Sequence, residues 1–250
     1  MTEDDVIETY YAGAYWGARK ESPEECGRRA ESMFSALRTV APDFAHWLKQ
    51  GRSRREALQH PIETDRATLT KMFRRGKDRM FEDLGFRISG WNGADDDEAS
   101  SFLFSVGIYS EFVTNACVFN LPSPGLDGKE SPSSQRVLTA TVLSGLVRAM
   151  AVAWEPEWAI ATSHAHRDEF IPRPRPARLW GWVTYYSDAV GRVPPLPAPV
   201  RMERVENQGT LLVLTPERFT ARNPEHVALA ERVRGLLDRA GLLGPPLPSL

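Results

Sequence analysis

Residues 10–19 read Tyr-Tyr-Ala-Gly-Ala-Tyr-Trp-Gly-Ala-Arg and lead almost directly into Ser22-Pro23-Glu24-Glu25. The aromatic run predicts a strand, and the second segment predicts the start of a helix. Ser22 is placed to accept a hydrogen bond from the backbone of Glu25, and the Glu25 side chain can reach back to the Ser22 amide. Pro23 already has the φ angle of a first helical position. The apolar residues that follow recur at helical spacing, which predicts one buried face: Cys26, Ala30, Met33, Phe34 and Leu37.

Seven further segments have strand character. The first three are joined by short linkers, which favours an antiparallel meander. Within this meander Phe102, Phe104 and Val106 alternate with smaller or polar residues, so one face of that strand is expected to be buried. The turn Glu206-Asn207-Gln208-Gly209 predicts that the last two strands form a hairpin. The predicted strands are Gly85–Trp91, Ser101–Tyr109, Asn115–Leu121, Glu157–Ser163, Arg178–Tyr186, Val200–Val205 and Thr210–Leu214.

Helix signals occur at four other places. Ser53 opens a short helix, Thr64 or Asp65 caps the next one, and Asn223 caps the last, which ends at Gly241. Residues 132–153 are apolar nearly all round, which predicts one long helix covered on more than one side. We therefore predict an α+β fold: a single domain over residues 1–250, with a mostly antiparallel sheet, about four to five helices, and one long central buried helix.

Composition limits the functional classes. The formal net charge is −2 and the isoelectric point is about 6.2, which argues against a dedicated nucleic-acid-binding protein. Cys26 and Cys117 are too few for a disulfide framework and lack the spacing of a zinc site, so both are interpreted as buried structural thiols.

The charge of the N-terminus and the length of the longest apolar stretch predict a soluble cytoplasmic protein without membrane contact. Residues 1–5 are acidic where a secretory signal needs positive charge. The longest apolar stretch, Val137–Trp154, contains Arg148 and is too short and too polar to span a bilayer comfortably.

The sequence His164-Ala165-His166-Arg167-Asp168 offers one catalytic alternative. It follows an apolar strand and resembles the metal-binding turn of metallo-β-lactamase-fold hydrolases, in which such imidazoles and a carboxylate converge on zinc. Glu169 stands where that motif usually has another histidine, and downstream only His226 remains as a histidine ligand. A metal-dependent hydrolase using His164, His166 and Asp168 is therefore the alternative function, and a polar strand end is the alternative interpretation of the segment.

No other catalytic pattern is found in the sequence. Nucleophile motifs, phosphate-binding glycine loops and the dinucleotide-binding glycine pattern are all missing, so we expect no catalytic residues, no metal and no cofactor. The basic cluster Arg74, Arg75, Lys77 and Arg79 has acidic neighbours and is interpreted as a solvated face.

The densest charge run is Asp95-Asp96-Asp97-Glu98, which follows Trp91-Asn92-Gly93 between two predicted strands. One interpretation is a solvated hairpin loop that discourages edge pairing. The other is an anionic loop that docks into a basic cleft, such as a nuclease active site.

The N-terminal block Tyr15–Cys26 resembles the opening of immunity protein family 52 of bacterial polymorphic toxin systems. Other parts of the sequence fit the same family, so the resemblance extends over nearly the whole chain. These matching segments are Phe44–Trp47, Gly51–Leu58, Gly85–Gly93, Gly209–Pro216 and Asn223–His226.

The resemblance implies a function. Members of this family are encoded beside toxins that carry a restriction-endonuclease-like nuclease domain. It therefore implies a non-catalytic cytoplasmic inhibitor whose partner is such a secreted toxin, here a type VI effector, with no direct contact to nucleic acid or membrane. The resemblance supplies no functional residues. Charge and exposure alone place the predicted partner contact on Trp91, Asn92, Asp95, Asp96, Asp97 and Glu98.

Overall fold

The computed structural model describes residues 7–49, 51, 53–95, 97–125, 129–171 and 175–245. Within these ranges eight strands form one sheet in which every neighbouring pair is antiparallel. They are β1 (Tyr10–Trp16), β2 (Phe86–Trp91), β3 (Ser101–Val106), β4 (Asn115–Asn120), β5 (Trp158–Ser163), β6 (Val183–Ser187), β7 (Arg201–Val205) and β8 (Gly209–Val213). The order across the sheet is β2-β3-β4-β1-β5-β6-β8-β7.

Helices of very different length pack with this sheet. In the described ranges the α-helices are α1 (Pro23–Val40), α2 (Arg54–Ala57), α3 (Arg66–Arg75), α4 (Pro132–Val137), α5 (Ala140–Trp154) and α6 (Pro224–Arg239). Short 3₁₀ turns cover Pro42–Phe44 and Glu82–Leu84, and a π-helical turn covers His166–Phe170. The predicted α+β class with a mainly antiparallel sheet is confirmed, as are the β2-β3-β4 meander and the β7-β8 hairpin.

The predicted helix starts are also present. The Ser22 hydroxyl accepts from the Glu25 amide at 3.2 Å, and the Glu25 carboxylate accepts from the Ser22 amide at 2.7 Å. Of the two candidates for α3, Asp65 is the cap, because its carboxylate accepts from the amides of Ala67 and Thr68 at 2.9 and 3.0 Å.

The helix predicted over Pro132–Ala153 is wrong as a single helix. The chain leaves helical geometry at Leu138, with a ψ of 61°, and Thr139 is extended, with φ and ψ of −125° and 149°. The Thr139 hydroxyl instead accepts from the Val142 amide at 3.3 Å and begins α5. A threonine side chain can replace a backbone carbonyl as the acceptor at a helix start, and the apolar periodicity of this segment does not reveal that choice. The central buried helix is α5 alone.

The strand predicted over Arg178–Tyr186 is too long at its N-terminal end. Arg178 donates its backbone N–H to the Leu243 carbonyl at 2.9 Å, so it is bonded to the C-terminal segment and not to the sheet. Gly181 donates its N–H to the Thr184 hydroxyl at 3.0 Å. These two hydrogen bonds divert the backbone, and regular pairing begins only at β6.

Two arginines bind the carbonyl groups at the C-terminal end of α5. Arg29 donates to the Ala153 carbonyl at 2.9 Å, and Arg19 donates to the Trp154 carbonyl at 2.8 Å. Glu21, whose side chain is only 6% exposed, accepts from Arg29 Nε at 2.6 Å and lies 3.2 Å from Arg19 Nε, without a well-aligned hydrogen bond to the latter. The carboxylate therefore neutralises both cations where they satisfy the helix end.

We predict that Glu21→Ala lowers the free energy of unfolding by about 3 kcal/mol, because it leaves two partly buried cations without their shared carboxylate. Urea unfolding measures this loss. The matched control is Asp188→Ala, which breaks a solvent-exposed pair with Arg204 and should have a much smaller effect on unfolding. Equal losses in the two variants would show that Glu21 is not a special support of α5.

Candidate partner-binding site

The loop that joins β2 to β3 is built on a strand end that is paired on both sides. Trp91 is opposite Ser101 of β3, and on its other side it exchanges backbone hydrogen bonds of 2.7 and 3.1 Å with Leu48. This pairing fixes the backbone at the base of the loop. The Trp91 side chain is only partly buried, so part of its ring surface is available to a partner.

Asn92 holds the loop in shape. Its side-chain oxygen accepts hydrogen bonds from the backbone amides of Ser100 and Ala94 at 3.0 and 3.3 Å. The Asn92 backbone amide donates to the Ser100 carbonyl at 2.9 Å. Asparagine commonly closes loops by mimicking a backbone turn in this way. We therefore assign Asn92, one of the predicted contact residues, a role in positioning the loop.

The acidic residues of this loop differ in their surroundings. Asp95 is exposed and lies 2.7 Å from Arg54 Nη1, and Arg54 also donates to the Gly93 carbonyl at 3.3 Å. Asp97 and Glu98 are partly buried, and the Asp97 carbonyl accepts from the Ser123 amide at 2.9 Å. The loop is thus anchored to its surroundings and not a free protruding segment. The fourth predicted carboxylate, Asp96, lies outside the described residues.

A cleft of about 700 Å³ opens beside the loop. We call it the binding cleft; it is lined by Gly51, Ser53, Arg54, Ala57, Trp91, Ala94, Asp95 and Asp97. It combines an aromatic ring with two carboxylates and one arginine, so it can offer apolar contact and ion pairing to another protein surface. Arg54 was not predicted from the sequence as part of this site. The only signal was its place in the segment Gly51–Leu58, which matches the family.

The two histidines of the predicted metal turn point into different surroundings. The His164 ring packs on Tyr11, with centroids 4.8 Å apart, and its Nδ1 lies 3.0 Å from the Thr9 hydroxyl. His166 is fully buried and packs edge-on against Phe219 at 5.0 Å. Its Nε2 has no hydrogen-bond partner among the described residues.

The carboxylate of the same turn is held elsewhere. Asp168 is bound by Arg167 and Arg175 at 2.8 Å each, and these guanidinium groups lower its pKa to about 2. Across the described ranges, no group of three or more His, Cys, Asp and Glu side chains could hold a metal ion. The structure therefore does not bring His164, His166 and Asp168 together as ligands.

Burial lowers the pKa of His166 to about 4, from an ordinary value of 6.5. Between these two values the unfolded chain binds more protons than the folded chain. We therefore predict that the free energy of unfolding falls as the pH drops from 6.5 to 4, with a contribution from His166 of at most about 3 kcal/mol.

His166→Leu should flatten this pH dependence, because it removes the buried base, and urea unfolding at about pH 7 and about pH 4.5 measures the effect. His60→Asn, at an exposed position, is the control and should keep the wild-type slope. His164, whose pKa burial also lowers, and the carboxylates remain in both variants. A wild-type slope in His166→Leu would contradict the assignment.

The two cysteines are free and buried, as predicted. Burial raises the pKa of both thiols, so both remain protonated at neutral pH. Cys117 Sγ lies 3.7 Å from the sulfur of Met33 in the core. Packing is therefore the role that the structure gives Cys117.

The fold defines an α+β protein with one antiparallel sheet, and it has a solved counterpart. The T6SS protein PA0821 of Pseudomonas aeruginosa superposes with a TM-score of 0.55 over 99% of this chain and 78% of that chain, at 14% sequence identity. At so low an identity, this superposition shows a shared fold alone. No curated protein matches the sequence significantly.

The family is identified by the sequence itself. The family model of Immunity protein 52 matches residues 8–246, and the chain belongs to this family. Membership confirms the resemblance carried by Tyr15–Cys26 and implies a cognate toxin as the partner. Among the described residues, no helix combines the length and the apolar character that crossing a membrane requires.

Proposed function

We propose that this protein is a non-catalytic immunity protein that binds and neutralises a nuclease toxin delivered by a type VI secretion system. The match to the Immunity protein 52 family over residues 8–246 is the observation that carries the proposal. The shared fold with a protein described as T6SS supports the secretion context. The sequence also resembles TsiT, the immunity partner of the effector TseT, and this resemblance supports a restriction-endonuclease-like nuclease domain as the target.

The protein acts in the cytoplasm, because a nuclease inhibitor must act where nucleic acid is attacked. Residues 1–250 form one immunity domain, in keeping with the single sheet of the described ranges. Inhibition by binding needs no catalytic group. The separate surroundings of His164, His166 and Asp168 give no support to the alternative of a metal-dependent hydrolase.

The proposed contact surface is the binding cleft with its acidic loop, formed by Trp91, Asn92, Asp95, Asp96, Asp97 and Glu98. A nuclease binds phosphate with basic side chains, and carboxylates are the groups that such side chains can pair with in an inhibitor. The Trp91 ring beside them supplies the type of aromatic anchor that is enriched at interface centres. Arg54 forms an ion pair with Asp95 in the unbound protein, and an arginine or lysine of the toxin would compete with Arg54 for that carboxylate.

Co-expression tests the function. We expect this protein to restore the growth of cells that express the toxin domain encoded by the neighbouring gene. In vitro it should abolish nuclease activity at an equimolar ratio and not below, since inhibition by binding is stoichiometric. Failure of a correctly folded protein to restore growth would refute the proposal. Full inhibition by a small fraction of an equivalent would indicate turnover and hence catalysis.

A charge variant tests the site. Asp95→Asn combined with Asp97→Asn should slow association with the toxin domain about tenfold at low ionic strength, because opposed charges accelerate encounter. The salt dependence of the association rate should become shallower. Asp188→Asn, which neutralises an exposed carboxylate that is also paired with an arginine, is the matched control and should associate at the wild-type rate. Surface plasmon resonance measures both rates, and an unchanged rate in the double variant would exclude the binding cleft as the contact surface.

A further inference from the structure

Two loops at the open end of the β2-β3 hairpin expose apolar side chains. Met80 and Phe81 lie between α3 and β2, with 83% and 57% of their surface exposed. Phe112 and Val113 lie between β3 and β4, with 96% and 41% exposed. We call these four residues the apolar end patch. They are four of the six large apolar side chains that are exposed in the described part of the chain.

The two loops are held side by side. The Asp83 carbonyl, in the first loop, accepts from the amides of Tyr109 and Ser110 in the second, at 2.9 and 3.2 Å. Within the first loop, the Asp78 carboxylate accepts from the amides of Met80 and Phe81 at 2.9 and 2.8 Å. These bonds fix the backbone that presents the apolar side chains. Apolar surface displayed on a hydrogen-bonded backbone, beside other apolar surface, is typical of an interaction site.

Positive charge borders the patch on the Met80 side. Arg75, Arg79 and Arg87 are exposed, and none of them forms an ion pair with another described residue. Arg87 is held next to this loop by the bond from its amide to the Gly76 carbonyl, at 2.8 Å. Arg75 and Arg79 belong to the basic cluster that was interpreted from the sequence as a solvated face. Arginine, methionine and phenylalanine together are, however, the residues enriched at protein interfaces.

Carboxylates lie on both sides of the patch, and those of the first loop, Asp78, Glu82 and Asp83, stand beside Met80 and Phe81. Glu111 is exposed next to Phe112. Glu82 is paired with Lys77 at 3.3 Å, and Asp78 is engaged by the backbone of its own turn. The border at Met80 and Phe81 nevertheless carries three arginines that form no ion pair within the described ranges. A complementary surface would carry carboxylates on that side and an apolar recess in the middle.

We propose that the apolar end patch is a second contact region for the cognate toxin, and that it docks into an apolar recess bordered by carboxylates. This inference rests on the proposed function. The binding cleft and the patch lie at opposite ends of the six-residue strands β2 and β3, roughly 20 Å apart. An interface of standard size buries about 800 Å² on each partner and can extend over that distance.

A double variant tests the proposal. Phe81→Ser with Phe112→Ser should weaken binding of the purified toxin domain encoded by the neighbouring gene at least about tenfold, mainly through faster dissociation. This kinetic effect differs from that of the binding-cleft variant, which acts on association. Met202→Ser removes an apolar side chain of β7 that is 40% exposed, and this control should bind like wild type. Thermal unfolding followed by circular dichroism should show an unchanged midpoint in both variants, because these side chains are exposed.

The possible outcomes separate the two proposals. Wild-type affinity of the folded double variant, in an experiment in which the wild-type protein binds, would overturn the second contact region and leave the proposed function intact. A change in self-association by sedimentation, without a change in toxin affinity, would also overturn it, in favour of a second copy as the occupant. Absence of binding by the wild-type protein would overturn the proposed function, and this inference with it. Arg75→Glu with Arg79→Glu should also weaken binding if carboxylates border the recess.

Discussion

The structure depends on the contact between Trp154, at the end of α5, and Trp16, at the end of β1. Their rings stack with centroids 5.5 Å apart, and Trp154 is fully buried. The same indole lies 5.9 Å from Phe104 of β3, and its N–H is 3.3 Å from the sulfur of Met33 in α1. One side chain therefore connects the central strand, a neighbouring part of the sheet and two helices. Large aromatic rings contribute much of the burial energy of a core, so a contact of this type fixes relative positions strongly.

The rest of the architecture follows from this contact. Ala12 and Ala14 are fully buried and lie on the same face of β1 as Trp16, and their small side chains let α5 approach the sheet closely. At the end of α5, Arg19 and Arg29 donate to carbonyl groups that lie near the start of α1, and Glu21 neutralises both arginines. Strand β2 lies at the edge of the sheet, three strands away from β1. Both proposed contact regions lie toward that edge, where side chains can change without loss of the central packing.

The sequence predicted those elements whose cause is local. The structure contains three elements of this kind: the capping box at Ser22, the alternation around Phe104 and the turn after Val205. Each involves residues that are only a few positions apart in the sequence. The helix break at Thr139 was also local, but the apolar periodicity outweighed the weaker capping signal. The start of β6 depends on a bond from Arg178 to Leu243, far away in the chain, and no local pattern reports such a partner.

The candidate site also has features that the sequence predicted and features that depend on distant segments. The position of the acidic run in a hairpin followed from its place between two predicted strands, and the structure places it between β2 and β3. The pairing of Asp95 with Arg54 and the bond from Ser123 to Asp97 join distant segments, so sequence reasoning treated the loop as free. At the histidine turn, the sequence spacing suggested a convergence of ligands that the described residues do not form. Spacing that allows two ligands to converge does not show that the backbone turns them toward each other, and here His166 turns into the core.

The pairing of Leu48 with Trp91 has a consequence for how a partner is recognised. Strand β2 is at the edge of the sheet, and an open edge invites another chain to add a strand. Here the backbone of Trp91 is bonded to Leu48, and the amide of Arg87 is bonded to Gly76, so both ends of that edge are occupied. Recognition beside this strand must then be carried by side chains, which differ from one sequence to another, and not by the backbone, which all proteins share. Such a surface can change its choice of toxin one residue at a time, so an immunity protein and its toxin can diverge together while the sheet beneath stays the same.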